Sequence, residues 1–272
     1  MLGVFKRLFK LANRDWPRPG VAGVDEPVLL LMICPPNTGS TAIADFVGQL
    51  PEISGLNSTY EGQWLIPGMR ADRWNADKNI DLRSVRAVWL DAVRKQRRGG
   101  ETVQYVMEKS PPHMMRHRLI MSVLAETRVV CYNRNPFANV SSIAHRYHDL
   151  ANRPEDERAE ICAGIAGTWL DRSRRVMDIV AAEACPLLTY EGFCQAPEVI
   201  FPAFGFPRET LERVSRERAV RVKDHEPQGI TNMNARQVGR LGAAELDAIG
   251  KVIAPHRELL QFYGYCEDPE QA

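Results

Sequence analysis

The chain has 272 residues, 44% apolar and 25% charged, which is the length of one large domain and the composition of a globular protein; wholesale disorder is excluded. Its 35 lysines and arginines against 34 acids leave a net charge of +1, so no global field recruits nucleic acid and any cationic site has to be local. Six cysteines without a CxxC pair read as reduced thiols of a cytoplasmic protein, with neither a disulfide framework nor a zinc site.

Residues 1–16 set Lys6, Arg7, Lys10 and Arg14 among Leu2, Val4, Phe5, Leu8, Phe9 and Leu11, the pattern of an amphipathic helix with a cationic face. Two readings stand side by side: a helix touching the inner face of a membrane, or one packed on the domain. Lysines interrupt any secretory apolar stretch, and the run Trp16-Pro17-Arg18-Pro19-Gly20 reads as a linker. The chain thus divides into a terminal helix and linker, 1–20, and a single α/β domain, 21–272.

Val28 to Cys34 is an unbroken apolar run between prolines, the signature of a strand buried on both faces. A turn over Pro35–Ser40 leads to a helical pattern from Thr41 to Leu50. The spacing predicts further helices at 81–98, from Pro112 to Leu124, after Asn135-Pro136, at 154–184 and at 243–263. Strands are expected at Thr102–Met107, Thr127–Tyr132 and Pro186–Thr189. Strands alternating with helices imply a P-loop-like parallel sheet flanked by helices on both faces. Arg208 to Asn234 is polar and poorly periodic, and reads as a loop-and-helix excursion over a site.

The first turn lacks the lysine of a Walker A loop and no G-x-G-x-x-G follows any strand. It nevertheless places Gly39 and the hydroxyls of Thr38, Ser40 and Thr41 at a helix N-terminus, where backbone N–H groups and hydroxyls cradle a phosphate. From this loop alone a plain capped turn is an equal reading. Arg134 ends a buried strand and Ser142 follows eight residues later on the next helix; arginine is the side chain for bidentate phosphate recognition. His113 and His117 have metal-compatible spacing without an evident third ligand, so a solvated helix face is expected. Trp64, Trp89 and Trp169 are expected in the core.

These motifs resemble those of the sulfotransferases that use 3′-phosphoadenosine 5′-phosphosulfate (PAPS), with this chain a divergent, bacterial-like example. The family's first loop, Pro-(Arg/Lys)-Ser-Gly-Thr-Thr, stands here as Pro36-Asn37-Thr38-Gly39-Ser40-Thr41. Its Arg-(Asn/Asp)-Pro turn with a serine eight residues on is Arg134-Asn135-Pro136 with Ser142. Glu108-Lys109-Ser110-Pro111 is similar to a stretch of the carbohydrate-type branch. Tyr190-Glu191 with Pro197-Glu198 is similar to a later family segment. The resemblance spans about Val28 to Phe206 and implies PAPS as co-substrate, with no metal required. The 36–41 loop would hold the 5′-phosphosulfate, and Arg134 and Ser142 the 3′-phosphate, with Arg236 a further candidate and Arg240 a weaker one.

One departure stands out. Asn37 replaces the family's cation, so either Lys109 or another cation neutralises charge on the leaving group, or turnover is slow. Two glutamates qualify as base toward a hydroxyl or amine acceptor. Glu61 looks like the base of the tyrosylprotein-type enzymes and is preferred as loop-borne. Glu108 looks like that of the glycosaminoglycan-type enzymes and would otherwise orient Lys109. The readings from other classes are a nucleotide-binding protein weakened in catalysis and a P-loop-type phosphotransferase.

Overall fold

The computed structural model describes residues 26–222 and 225–269; the expected amphipathic helix of residues 1–16, its membrane contact and the linker to residue 20 lie outside the described residues. Strand β1 (Val28–Ile33) is central in a parallel sheet with β2 (Ile53–Gly55), β3 (Tyr105–Glu108), β4 (Thr127–Asn133) and β5 (Leu187–Thr189), in the order β2-β3-β1-β4-β5. Leu30 lies in register with Met107 on one side and Arg128 on the other.

Successive side chains of a strand point to opposite faces, and β1 supplies both faces of the sheet with apolar ones. Leu29, Leu31 and Ile33 join one core with Val85, Trp89 and Val93 of α2 (Leu82–Arg98). Val28, Leu30 and Met32 join the other with Ile43, Phe46 and Val47 of α1 (Ser40–Val47). This is why the run could be continuous: neither face meets water.

The chain then forms α3 (His117–Met121), α4 (Pro136–Tyr147) and α5 (Glu155–Glu183), followed by α6 (Tyr190–Gln195) and α7 (Ile200–Ala203). Asn135 caps α4 by accepting from Ala138 N–H at 3.3 Å, with Pro136 at the first helical position, as that dipeptide predicts. The helix expected after Pro112 is instead a 3₁₀ turn, Pro111–Arg116, and then the short α3. Two consecutive prolines cannot donate the N–H bonds an α-helix needs. The excursion at 208–234 contains an antiparallel hairpin, β6 (Val220–Val222) with β7 (His225–Gln228), which weak periodicity concealed. It leads to α8 (Asn234–Val238), α9 (Ala243–Ile253) and α10 (Arg257–Tyr263), the last two separated by a turn at Pro255. No described helix is long and apolar enough to cross a membrane.

Candidate active site

Chain connections leave β1 toward β2 and β3 on one side of the sheet, and β4 and β5 lie on the other. In open α/β sheets ligands bind beyond the strand C-termini at such a switch point. The loops after β1, β3, β4 and β5 meet there around a cleft of about 250 Å3. Its wall includes Pro36, Asn37, Gly39, Ser40, Thr41, Glu61, Lys109, Arg134, Ser142 and Arg236, all anticipated from sequence.

The loop after β1 is built around two left-handed residues, Asn37 at φ 59° and Gly39 at φ 84°. At Gly39 a Cβ would lie 2.7 Å from the Tyr190 ring, so the backbone passes where only glycine fits. No side chain caps the N-terminus of α1. Its first N–H groups, carrying the positive end of the helix dipole, are therefore left for an anion. Thr38 departs from expectation: fully buried, its hydroxyl donates to Pro35 O at 2.9 Å, so it shapes the loop from behind and its side chain is absent from the cleft wall.

Arg134 is held from several directions. Its Nε donates to Asn234 Oδ1 at 2.9 Å and its Nη1 to Asn37 O at 3.2 Å, while the guanidinium lies 4.2 Å from the centre of the Tyr190 ring. Its backbone is fixed as well, with N–H donating to Asn133 Oδ1 and carbonyl accepting from Trp169 Nε1. Nη2 is buried without a partner, and so is Asn37 Nδ2. Two orphaned buried donors on one cleft are costly unless a ligand completes them. A phosphate-bearing substrate fits that requirement.

Lys109 is almost wholly buried and donates through Nζ to Glu61 Oε1 at 3.0 Å. Glu61 Oε2 accepts from Gln63 Nε2 at 2.9 Å. An ammonium has three N–H groups and Glu61 takes one.

Glu108, the other candidate base, is not on the cleft wall. It accepts from the N–H groups of Gly62 and Ser110, and lies 3.4 Å from His113 Nε2 with both side chains fully buried. Burial drives both groups toward neutrality: the Glu108 carboxyl is pushed up to about 7 and the His113 imidazole down to about 3. Glu108 does not orient Lys109, whose ammonium turns to Glu61 instead; its role in this arrangement is to tie the segment bearing Glu61 to β3.

Neither a protein-family model nor a curated protein matches the chain. Solved structures do. The chain is similar to a sulfotransferase from Alicyclobacillus acidocaldarius, with TM-score 0.51 at 12% identity, over 87% of this chain and 96% of that one. It is similar to the sulfotransferase domain of the Synechococcus PCC 7002 olefin synthase, with TM-score 0.50 at 17% identity, over 93% and 99%. A third match is a sulfotransferase from Mycobacterium avium, with TM-score 0.50 at 12% identity, over 97% and 81%. The fold is that of the sulfotransferases.

On this sulfotransferase fold several residues act that sequence reasoning missed. Tyr190 packs on Gly39 and Arg134, donates to Thr231 O and accepts from Met233 N–H, both at 3.0 Å. Burial raises its hydroxyl to about 12, which keeps it a donor. Glu191 accepts from Asn135 N–H at 3.0 Å and from Asn234 Nδ2 at 2.7 Å. Asn234 in turn orients Arg134. The Tyr190-Glu191 dipeptide was visible in sequence, but nothing there linked it to a loop some 40 residues on.

Three further expectations are corrected. His113 and His117 do not face solvent: the first is sealed beside Glu108, and the second lies 3.0 Å from Glu183. Among the described residues no group of three or more His, Cys, Asp or Glu is placed to hold a metal. Trp89 and Trp169 are buried, but Trp64 is 36% exposed and lines the cleft. Arg240 is not on the cleft wall and donates to Gln237.

Proposed function

We propose that this protein transfers a sulfuryl group from PAPS to a hydroxyl or amine acceptor, releasing adenosine 3′,5′-bisphosphate. The observation that carries this reading is the shared cleft: an uncapped α1 N-terminus and an arginine with an unpartnered Nη2 open on one space, two anion sites for one substrate with two phosphate ends. The N–H groups of residues 39–41 and the Ser40 and Thr41 hydroxyls hold the 5′-phosphosulfate. Arg134 and Ser142 hold the 3′-phosphate, with Arg236 on the same wall.

Glu61 receives the acceptor proton. Lys109 Nζ and Gln63 Nε2 hold its two carboxyl oxygens in place at the cleft wall. The acceptor oxygen or nitrogen forms a bond to sulfur as the bond from sulfur to the phosphate oxygen breaks. Lys109 and the α1 N-terminus stabilise the charge that gathers on that phosphate. Asn37 brings a donor without charge to the position where the resembling family has a cation, which favours, as second reading, a nucleotide-binding protein with weakened turnover.

Incubation with sulfur-labelled PAPS and a panel of sugar, phenol, amine and lipid acceptors tests the proposal. Label passing to any acceptor, and lost with Lys109→Met, supports transfer. Binding of the bisphosphate without transfer to any acceptor supports the second reading. Neither binding nor transfer overturns both.

A further inference from the structure

A second cationic group reaches the same cleft through Arg73, with Arg70 and Arg172 behind it and off the cleft wall, apart from the residues assigned above. The segment between the 3₁₀ turn Gly62–Leu65 and α2 carries Arg70, Arg73 and Trp74. It is not a free loop. The nearly buried Arg116 donates to the carbonyls of Arg73, at 3.1 Å, and Asn75, and Lys78 Nζ donates to Gly68 O at 3.0 Å. On this fixed segment the guanidinium carbons of Arg70 and Arg73 each lie 5.2 Å from the centre of the Trp64 ring. Arg172, from α5, lies 4.2 Å from that of Trp74. Trp64, Arg73 and Trp74 are part of the cleft wall with Lys109 and Arg134.

Among the described residues none of the three arginines forms an ion pair, and Asp171, beside Arg172 in sequence, pairs with Arg174 at 3.2 Å. Burial and the nearby Arg73 charge work against the protonated form of Arg172, and the Asp171 charge works for it. The segment also carries Asp72, Asp77 and Asp81, but among the described residues none of them pairs with these arginines, so the like charges gathered at Trp64 and Trp74 are not neutralised by direct contact. Contact with an indole holds a guanidinium in place without neutralising it, and leaves its N–H donors available for an oxyanion.

We propose that Arg73 and Arg172, supported by Arg70, Trp64 and Trp74, form an acceptor subsite for a second anionic group, so that the acceptor is a small molecule bearing its own carboxylate, sulfate or phosphate. Naming the ligand an acceptor rests on the sulfuryl-transfer reading. The anion preference itself is open to measurement without turnover.

The test is calorimetric binding of p-nitrophenyl β-glucuronide and p-nitrophenyl β-glucoside, which differ in a carboxylate against a hydroxymethyl group, with and without adenosine 3′,5′-bisphosphate. Charge-assisted bidentate contact makes the glucuronide bind about ten- to a hundredfold tighter. Arg73→Gln and Arg172→Gln each remove most of that preference and leave bisphosphate affinity unchanged. Arg70→Gln, at an exposed position, reduces it partly and serves should Arg172→Gln fail to fold. Equal affinities, or no binding of the glucuronide, overturn the proposal. So does a loss of bisphosphate affinity in the variants, which would assign the cluster to the donor. Retention on phosphatidylglycerol vesicles that depends on these arginines, without a glucuronide preference, would assign it to a lipid surface and also overturn it. A native protein that prefers the glucuronide but does not bind the bisphosphate would end the transfer reading and leave the anion subsite standing.

Discussion

Cutting the Glu61–Lys109 pair from each side gives outcomes that its geometry orders in advance. The Lys109 side chain is 2% exposed and that of Glu61 13%, so neither partner is compensated by bulk water. Lys109→Met removes a buried ammonium and leaves a carboxylate beside it, with Gln63 as a remaining donor. The expected loss is about 3–5 kcal/mol, the range for a buried pair broken by removal of one partner. Glu61→Gln keeps an amide oxygen for the ammonium, so about 1–2 kcal/mol is expected. The double variant removes both charges. It should be more stable than the sum of the single losses implies by about 1–3 kcal/mol. Urea denaturation of the four proteins at one pH, read by tryptophan fluorescence, closes the cycle. Coupling within 0.3 kcal/mol of zero, the usual error of additivity, would show that the pair does not hold the base in place.

Gly39→Ala sets a Cβ 2.7 Å from the Tyr190 ring at φ 84°; a loss of about 1–2 kcal/mol and a much weaker bisphosphate affinity are expected, and unchanged binding would contradict the close-packed loop. Glu108 gives a pH signature. Its folded pKa of about 7 exceeds the usual 4.5, so its contribution to stability is full below pH 4.5 and disappears as pH rises through about 7. Stability of Glu108→Gln relative to the native protein should therefore rise by about 3 kcal/mol over that window; a flat difference would mean that Glu108 is ionised throughout.

The sheet was legible because β1 is apolar at every position and β4 carries the continuous apolar run Val129–Tyr132, and a strand buried on both faces announces itself that way. The anion loop and Arg134 were legible for a different reason: each sits at the end of such a strand, so its place on the sheet followed from counting. The hairpin over the cleft was not, because its strands of three and four residues are too short for alternation to emerge. The choice between Glu61 and Glu108 depended on which carboxylate faces the cleft. Neighbouring residues on a strand point to opposite faces, so Lys109 and Glu108 part company, and no local pattern tells which one meets Glu61. The role of Thr38 was equally hidden, since a hydroxyl turned back on Pro35 reads the same in sequence as one turned to a ligand.

The central claim is that this cleft recognises a nucleotide with phosphates at both the 3′ and 5′ positions, and one titration isolates it. Adenosine 3′,5′-bisphosphate and adenosine 5′-monophosphate differ only in the phosphate assigned to Arg134 and Ser142. A charge-assisted contact of that kind contributes about 1.5–3 kcal/mol, so calorimetry should find the bisphosphate binding about ten- to a hundredfold tighter. In Arg134→Ala that ratio should collapse while monophosphate affinity barely moves. Equal affinity of the native protein for the two nucleotides would contradict the account.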